Sequence, residues 1–354
     1  MPKFSIAVIP GDGVGLEVMP EARKVLDLVS VRYDVEFDYT EFDWGTDHYF
    51  NHGRMMPEGG VEELRPFDAI LLGAVGHPDV PDHVTLNGLL LPIRRTFDQY
   101  VCERPAKLYP GVPSPLADPG EIDMVVVREN TEGEYSQAGG FVYKDLPGEV
   151  AVQTSIFTRH GVERIIRHAF ELARKRKGRK RVTSITKSNA QGYSMVLWDR
   201  VFADVAGDYE DIETESLLVD AAAMNFIRRP QSFDVVVASN LFGDILSDIS
   251  AMITGSMGLA PSSNVNPSRE VPSMFEPVHG SAPDIAGQGI VNPIAMILSA
   301  RMMLDFLNLS DAARLVENAV SAVLAERKAL PRDLGGSAAT TQVTSAILGK
   351  LRQQ

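Results

Sequence analysis

Apolar and polar positions follow two alternating rhythms along the chain. Phe4 to Ile9 is an apolar run closed by Pro10-Gly11, the pattern of a buried strand ended by a turn. From Leu16 to Val29 the apolar residues return at helical spacing. Tyr33 to Tyr39 alternates like a strand, and Asp68 to Gly73 is a second buried run. Leu86 to Tyr100 predicts a helix carrying Arg94 and Arg95. Ile122 to Val127 predicts a strand that delivers Arg128-Glu-Asn-Thr-Glu-Gly-Glu-Tyr135 at its end. The second half repeats the rhythm, with helices over 162–175 and 193–202 and strands over 181–186, 212–219 and 233–238. A helix over 241–253 and a helix-rich C-terminal third follow. Strands alternating with helices indicate an α/β protein with a largely parallel sheet. Ser136 to Phe157 breaks the pattern: it holds Gly139-Gly140, Pro147-Gly148 and β-branched residues without a helical period. It reads as a hairpin-like excursion, and composition alone favours a surface loop over an arm that pairs with another subunit.

Composition narrows the function classes. The 354 residues suffice for two domains, and 44% apolar with 23% charged is ordinary for a soluble globular protein. A net charge of -13 argues against broad binding to nucleic acid or anionic membrane, so an acidic ligand would need a local arginine cluster. Cys102 is the single cysteine, which excludes an intrachain disulfide and fits a reducing compartment. The N-terminus carries no signal-peptide pattern and no apolar run spans a bilayer, so a cytoplasmic location is expected.

Several features invite readings that the residues do not support. Gly11-Asp-Gly13-Val-Gly15 follows a strand and opens a helix, but position 16, where a dinucleotide fingerprint needs its third glycine, is Leu. A structural turn at the sheet edge is the preferred reading. The basic run from Arg174 to Arg181 sits at a helix end, where cations favour the dipole, and no aromatics interleave for base stacking. His48 and His52, and His77 and His83, lack the cysteines or second-shell pattern of a zinc site.

The acidic pair is different. Asp244 and Asp248 lie four apart on one face of a helix that follows a strand, where α/β sheets place ligands. Two converging carboxylates suit a hard divalent cation. On spacing alone, a polar helix face with two unrelated aspartates is the simpler account. Arg94, Arg104 and Arg128 fall at element ends, and their guanidinium forks match carboxylates. Together they make a dicarboxylate pocket plausible.

These segments, taken with Leu90-Leu-Pro-Ile-Arg94, Glu103-Arg104-Pro-Ala-Lys, Thr186-Lys187-Ser-Asn, Val219-Asp220, Asn240-Leu-Phe-Gly-Asp244-Ile-Leu-Ser-Asp248 and Glu276-Pro-Val-His279-Gly-Ser-Ala-Pro-Asp284, run in one order through the chain. The whole chain resembles the isocitrate/isopropylmalate dehydrogenase family of β-decarboxylating dehydrogenases. The resemblance implies a two-domain α/β fold of that family, not a Rossmann fold. It implies a large domain of residues 1–99 plus 255–354, with both termini and the NAD site, and a small domain of 100–254 with the dimer interface. The excursion, about 136–157, would be an arm clasping the partner of a homodimer, reversing the preference for a loop. The active site would lie between domains and draw on both subunits.

The resemblance further implies that Arg94, Arg104 and Arg128 hold the substrate carboxylates, with Leu90 beside them. Asp244 and Asp248, with Asp220 of the partner subunit, would bind Mg²⁺ or Mn²⁺. Lys187 of the partner subunit would be the base on the C2 hydroxyl, and Tyr135 would protonate the carbanion left by CO₂ loss. Glu276, His279, Gly280, Ser281, Ala282, Asp284, Ile285 and Asn292 would surround NAD, since a carboxylate at 284 suits free ribose hydroxyls and repels a 2′-phosphate. A monovalent cation such as K⁺ is a further cofactor compatible with the resemblance. Position 88, six ahead of Arg94, is Gly where isocitrate enzymes carry serine. Leu90 and Leu91 leave 3-isopropylmalate open, whereas Asn130 to Gly133 departs from that type. The expected substrate is therefore D-malate or tartrate, with 3-isopropylmalate second. An inert regulatory subunit should lack some of these groups, yet all are present, and a lyase or binding protein would have no use for the 276–284 segment.

Overall fold

In this computed structural model residues 1–176 and 178–353 are described, and they form two compact units. The first comprises Met1–Gln99, Arg104–Ala117 and Ala251–Gln354, and the second Tyr100–Glu103 and Asp118–Ser250.

In the first unit, the strand Lys3–Gly11 lies between the parallel strands Glu36–Glu41 and Ala69–Ala74. Ser273–Pro277 joins Ala69–Ala74 in parallel, and Pro261–Val265 joins Ser273–Pro277 antiparallel. Ala69–Ala74 is buried at every position, as expected for a strand covered on both faces. The helices Gly15–Tyr33, Ile294–Phe306 and Ser310–Glu326 pack Val18, Leu26, Ile297, Leu304 and Val320 into one core with Ile6, Val8 and Leu71. Ile294–Phe306 is buried almost all round, which explains why its sequence is apolar without a polar face.

In the second unit, Asp123–Glu129, Val235–Ala238, Arg181–Thr186 and Glu213–Leu218 pair in that order, all in parallel. Val162, Ile166 and Phe170 of the amphipathic helix Arg159–Lys175 are fully buried, as is Trp198 of the helix Ser194–Ala206. Gly133–Val142 and Val150–Ile156 form a separate antiparallel hairpin. Phe141, Val142, Tyr143, Leu146, Val150 and Val152 are exposed on it, so the stretch is an ordered ribbon rather than a loop.

The structure corrects several boundaries. The glycine turn is not at the sheet edge, because Lys3–Gly11 has a strand on each side. The helix expected over 86–100 instead starts with Asp82–Thr85, passes through a π-turn at Leu86–Leu90 and ends with Leu91–Thr96. Val101–Lys107, Pro261–Val265 and Ser273–Pro277 are strands within stretches given no strand or read as helix-rich. Arg128 stands inside its strand rather than beyond it. No described helix is long and apolar enough to cross a membrane.

Candidate active site

Arg128 is the centre of the second unit's chemistry. The strand that carries it is flanked by Val235–Ala238, so its side chain reaches the helix Asn240–Ile253 that follows that neighbour. Its guanidinium is only 2% exposed. Nε and Nη2 donate to Asn240 Oδ1 at 3.0 and 2.7 Å, and Nη1 donates to Asp244 Oδ1. Gly243 allows this approach, since a Cβ there would stand 2.7 Å from Cβ of Arg128. Tyr135 Oη donates to the other Asp244 oxygen at 2.8 Å, and the Arg128 guanidinium lies 5.2 Å from the centroid of the Tyr135 ring. Asp244 thus gathers Arg128, expected at the substrate, and Tyr135, the expected proton donor, on one carboxylate, while Asp248, one helical turn on, is exposed.

This arrangement fits a hard cation. Asp244 presents two carboxylate oxygens beside the Arg128 guanidinium and the Tyr135 hydroxyl. Oxygen donors of this kind suit Mg²⁺ or Mn²⁺. Among the described residues no group of three or more His, Cys, Asp or Glu side chains is placed to hold a metal. Asp220 is instead exposed and accepts from Lys187 Nζ at 2.5 Å. That ammonium holds the Asp220 carboxyl below the usual carboxylate range.

Three carboxylates in the stretch between Arg128 and Tyr135 were given no role by the sequence. Glu129 accepts from the backbone N–H groups of Thr131 and Glu132 and from the Thr131 hydroxyl, at 2.9–3.2 Å. Glu132 accepts from Thr158 N–H and Oγ1, fastening the start of Arg159–Lys175. Glu134 accepts from Ser239 Oγ at 2.9 Å and from the Leu241 N–H at 3.1 Å, which caps the helix bearing Asp244. These acids are internal fasteners that set Tyr135 against Asp244. Their spacing in sequence carries no signal of those partners.

In the first unit, Arg94 is buried and its Nη2 donates to Glu276 Oε1 at 2.6 Å, an oxygen that also accepts from Asn264 Nδ2 at 2.7 Å. Arg94 and Glu276, expected at substrate and cofactor respectively, therefore share one ion pair. Arg104 is buried as well. Leu90 packs with Ile9, Trp44 and Met55 in the core, and a Cβ on Gly88 would meet Met55 at 2.5 Å. Glycine at 88 thus has a packing reason apart from substrate choice.

The expected cofactor segment surrounds an unsatisfied imidazole. His279 Nδ1 lies 3.0 Å from the Gly280 carbonyl and donates to it, which leaves Nε2 as an acceptor, buried and without a hydrogen-bond partner. Burial lowers the His279 pKa, favouring the neutral ring. Gly280 and Asp284 are exposed, and a Cβ on Gly280 would meet nothing within 4 Å. Ser281 is buried and its carbonyl accepts from Val14 N–H, Ala282 has φ +39°, and Ile285 packs on the core. Asn292 is buried, donating to Asp333 at 3.0 Å and accepting from Ile294 N–H. An open carboxylate, a bare glycine and an orphaned acceptor fit a hydroxyl-rich ligand such as NAD.

The other candidates take up structural duties. In the basic run, Arg174 pairs with Asp211, Arg176 with Asp123 and Asp234, and Arg181 with Glu213, while residue 177 lies outside the described residues. The His48 and His52 rings lie 4.5 Å apart, with no metal-binding group of the size above around them among the described residues.

The sequence pattern of the isocitrate/isopropylmalate dehydrogenase family matches residues 5–348. The chain belongs to that family. Its fold is the family's α/β fold rather than a Rossmann fold, and the chain is an oxidoreductase of the dehydrogenase type. It is 51% identical to a Bacillus subtilis protein named probable tartrate dehydrogenase/decarboxylase, covering 100% of this chain and 99% of the relative. It is 50% identical to the Pseudomonas putida tartrate dehydrogenase/decarboxylase, over 97% and 96% of the two chains. The Escherichia coli D-malate dehydrogenase (decarboxylating) is 51% identical, with 98% of each chain covered. The crystal structure of isocitrate dehydrogenase from Methylococcus capsulatus superposes with a TM-score of 0.89 at 34% identity, over 100% of both chains.

Proposed function

We propose that the protein oxidises D-malate or tartrate with NAD⁺ and Mg²⁺ or Mn²⁺, and decarboxylates D-malate to pyruvate and CO₂. The observation that carries this reading is the Asp244 carboxylate, which gathers Arg128 and Tyr135 and has Asp248 exposed one turn away. Full-length identity near one half to enzymes named for tartrate and D-malate supports the choice of substrate.

Arg94, Arg104 and Arg128 neutralise and orient the two carboxylates. Lys187 of the partner subunit takes the proton of the C2 hydroxyl as hydride leaves C2. A divalent cation held by Asp244 and Asp248 would supply Lewis acidity, and bound NAD⁺ would supply the hydride acceptor. The 2-oxo acid so formed carries a carboxylate β to its ketone. The C3–C4 bond breaks, CO₂ departs and the electron pair becomes an enolate at C3. Tyr135 donates its hydroxyl proton to C3, giving pyruvate. Asp220 of the partner subunit would complete the metal's carboxylates, so the reading requires a homodimer, and the apolar face of the 133–156 hairpin is suited to clasp it. Leu90, packed in the core, gives no support to 3-isopropylmalate.

The test is NADH formation from D-malate, L-tartrate, isocitrate and 3-isopropylmalate, each with and without Mn²⁺. Metal-dependent NADH from D-malate or tartrate is expected. No NADH from any of the four would refute the reading.

A further inference from the structure

The glycine turn that fails as a dinucleotide fingerprint is fastened to the segment proposed to receive the cofactor. Val14 N–H donates to the Ser281 carbonyl at 2.9 Å. A Cβ on Gly13 would stand 2.2 Å from that same oxygen, so only glycine lets the two backbones meet. At the start of the following helix, Glu17 reaches the other end of the segment. One of its oxygens accepts from Gly287 N–H at 2.5 Å and the other from Gly289 N–H at 2.9 Å. Both glycines are left-handed, with φ of +76° and +65°, and a Cβ on either would meet nothing within 4 Å. Conformation rather than space therefore requires glycine there. Backbone N–H groups turned together in this way form a small anion-binding concavity, and Glu17 fills it from within the protein. Ala282, Asp284 and Ile285 lie between the two fastenings. Gln288 Nε2 donates to the Asp284 carbonyl at 2.8 Å and Thr340 N–H donates to the Gly289 carbonyl at 2.9 Å, so the segment is held at its backbone while the Asp284 side chain stays exposed.

We propose that Glu17 is a positioning residue for cofactor choice, its carboxylate locking the 281–289 segment so that Asp284 meets the ribose hydroxyls of NAD⁺. This rests on the cofactor reading above. Glu17 sits at the start of its helix and accepts only from loop amides in these two bonds, so its loss leaves the core untouched.

Glu17→Gln keeps the size but loses the charge and turns an NH₂ toward a backbone donor. The expected result is a rise of about tenfold in both the Kd and the KM for NAD⁺, the scale of one charge-assisted hydrogen bond. Discrimination against NADP⁺ falls, and the KM for D-malate moves less than about twofold, since the effect is confined to the cofactor loop. Gly287→Ala, which strains the same concavity from the loop side, should reproduce this split. Amide exchange over 281–292, measured with and without NAD⁺, separates the possible failures. If NAD⁺ fails to protect this segment in the wild type, the cofactor reading falls and the proposal with it. If it protects the wild type and Glu17→Gln binds NAD⁺ with unchanged affinity, the role of Glu17 alone is overturned.

Discussion

Glu129 offers a test of how the second unit is held together. Its carboxylate is 2% exposed, and no cation pairs with it among the described residues. Burial pushes its pKa from 4.5 up to about 7, the negative charge of Glu132 pushes the same way, and the three donors from Thr131 and Glu132 only partly oppose this. A folded pKa above the unfolded value means that the folded protein holds a proton the unfolded chain releases. Stability is therefore greatest below pH 4.5 as far as this group is concerned, and is lost as pH rises to about 7. The gap between the two values corresponds to about 3 kcal/mol. Glu129→Gln is neutral throughout and removes this dependence. Urea unfolding of both proteins, in a Trp44→Phe background, leaves fluorescence of the buried Trp198 as the probe of the second unit. The variant should gain on the wild type by about 3 kcal/mol between about pH 4.5 and 8. A stability difference that stays constant over this range would refute the reasoning, because it would mean that Glu129 ionises normally inside the fold.

Other predictions address the Asp244 node. Tyr135→Phe removes the proposed proton donor and one hydrogen bond to Asp244. Its kcat for D-malate should fall by about 10²-fold or more while the KM for NAD⁺ changes little, and near-normal kcat in steady-state assays would exclude Tyr135 as the donor. Asp248→Asn should weaken Mn²⁺ binding by about tenfold or more, read as free Mn²⁺ by electron paramagnetic resonance. Unchanged affinity would remove Asp248 from the metal site.

The sequence was most informative where periodicity and burial agree. Arg181 to Thr186 is a strand at the expected bounds, and Asp244 and Asp248 share a helix as their spacing required. The strands Pro261–Val265 and Ser273–Pro277 escaped because they are short and carry serine and asparagine, whose burial depends on neighbours distant in sequence. Leu86 to Tyr100 departs from a single regular helix because the π-turn at Leu86–Leu90 shifts the helical phase ahead of Arg94. Within the site, the arginines and aspartates could be picked out by residue type and position. Glu129, Glu132 and Glu134 could not, since their partners are backbone amides and hydroxyls brought to them only by folding. The same holds for Glu17, whose partners Gly287 and Gly289 lie about 270 residues further along the chain.

The central claim is that one protein both oxidises a 2-hydroxy dicarboxylate and releases its β-carboxylate. The most direct measurement is the stoichiometry of NADH and CO₂ formed from D-malate with Mn²⁺, repeated after chelation of the metal. The account predicts equal amounts of NADH, CO₂ and pyruvate, all lost together on chelation and restored by Mn²⁺. NADH without CO₂, or undiminished turnover in the chelated protein, would contradict it.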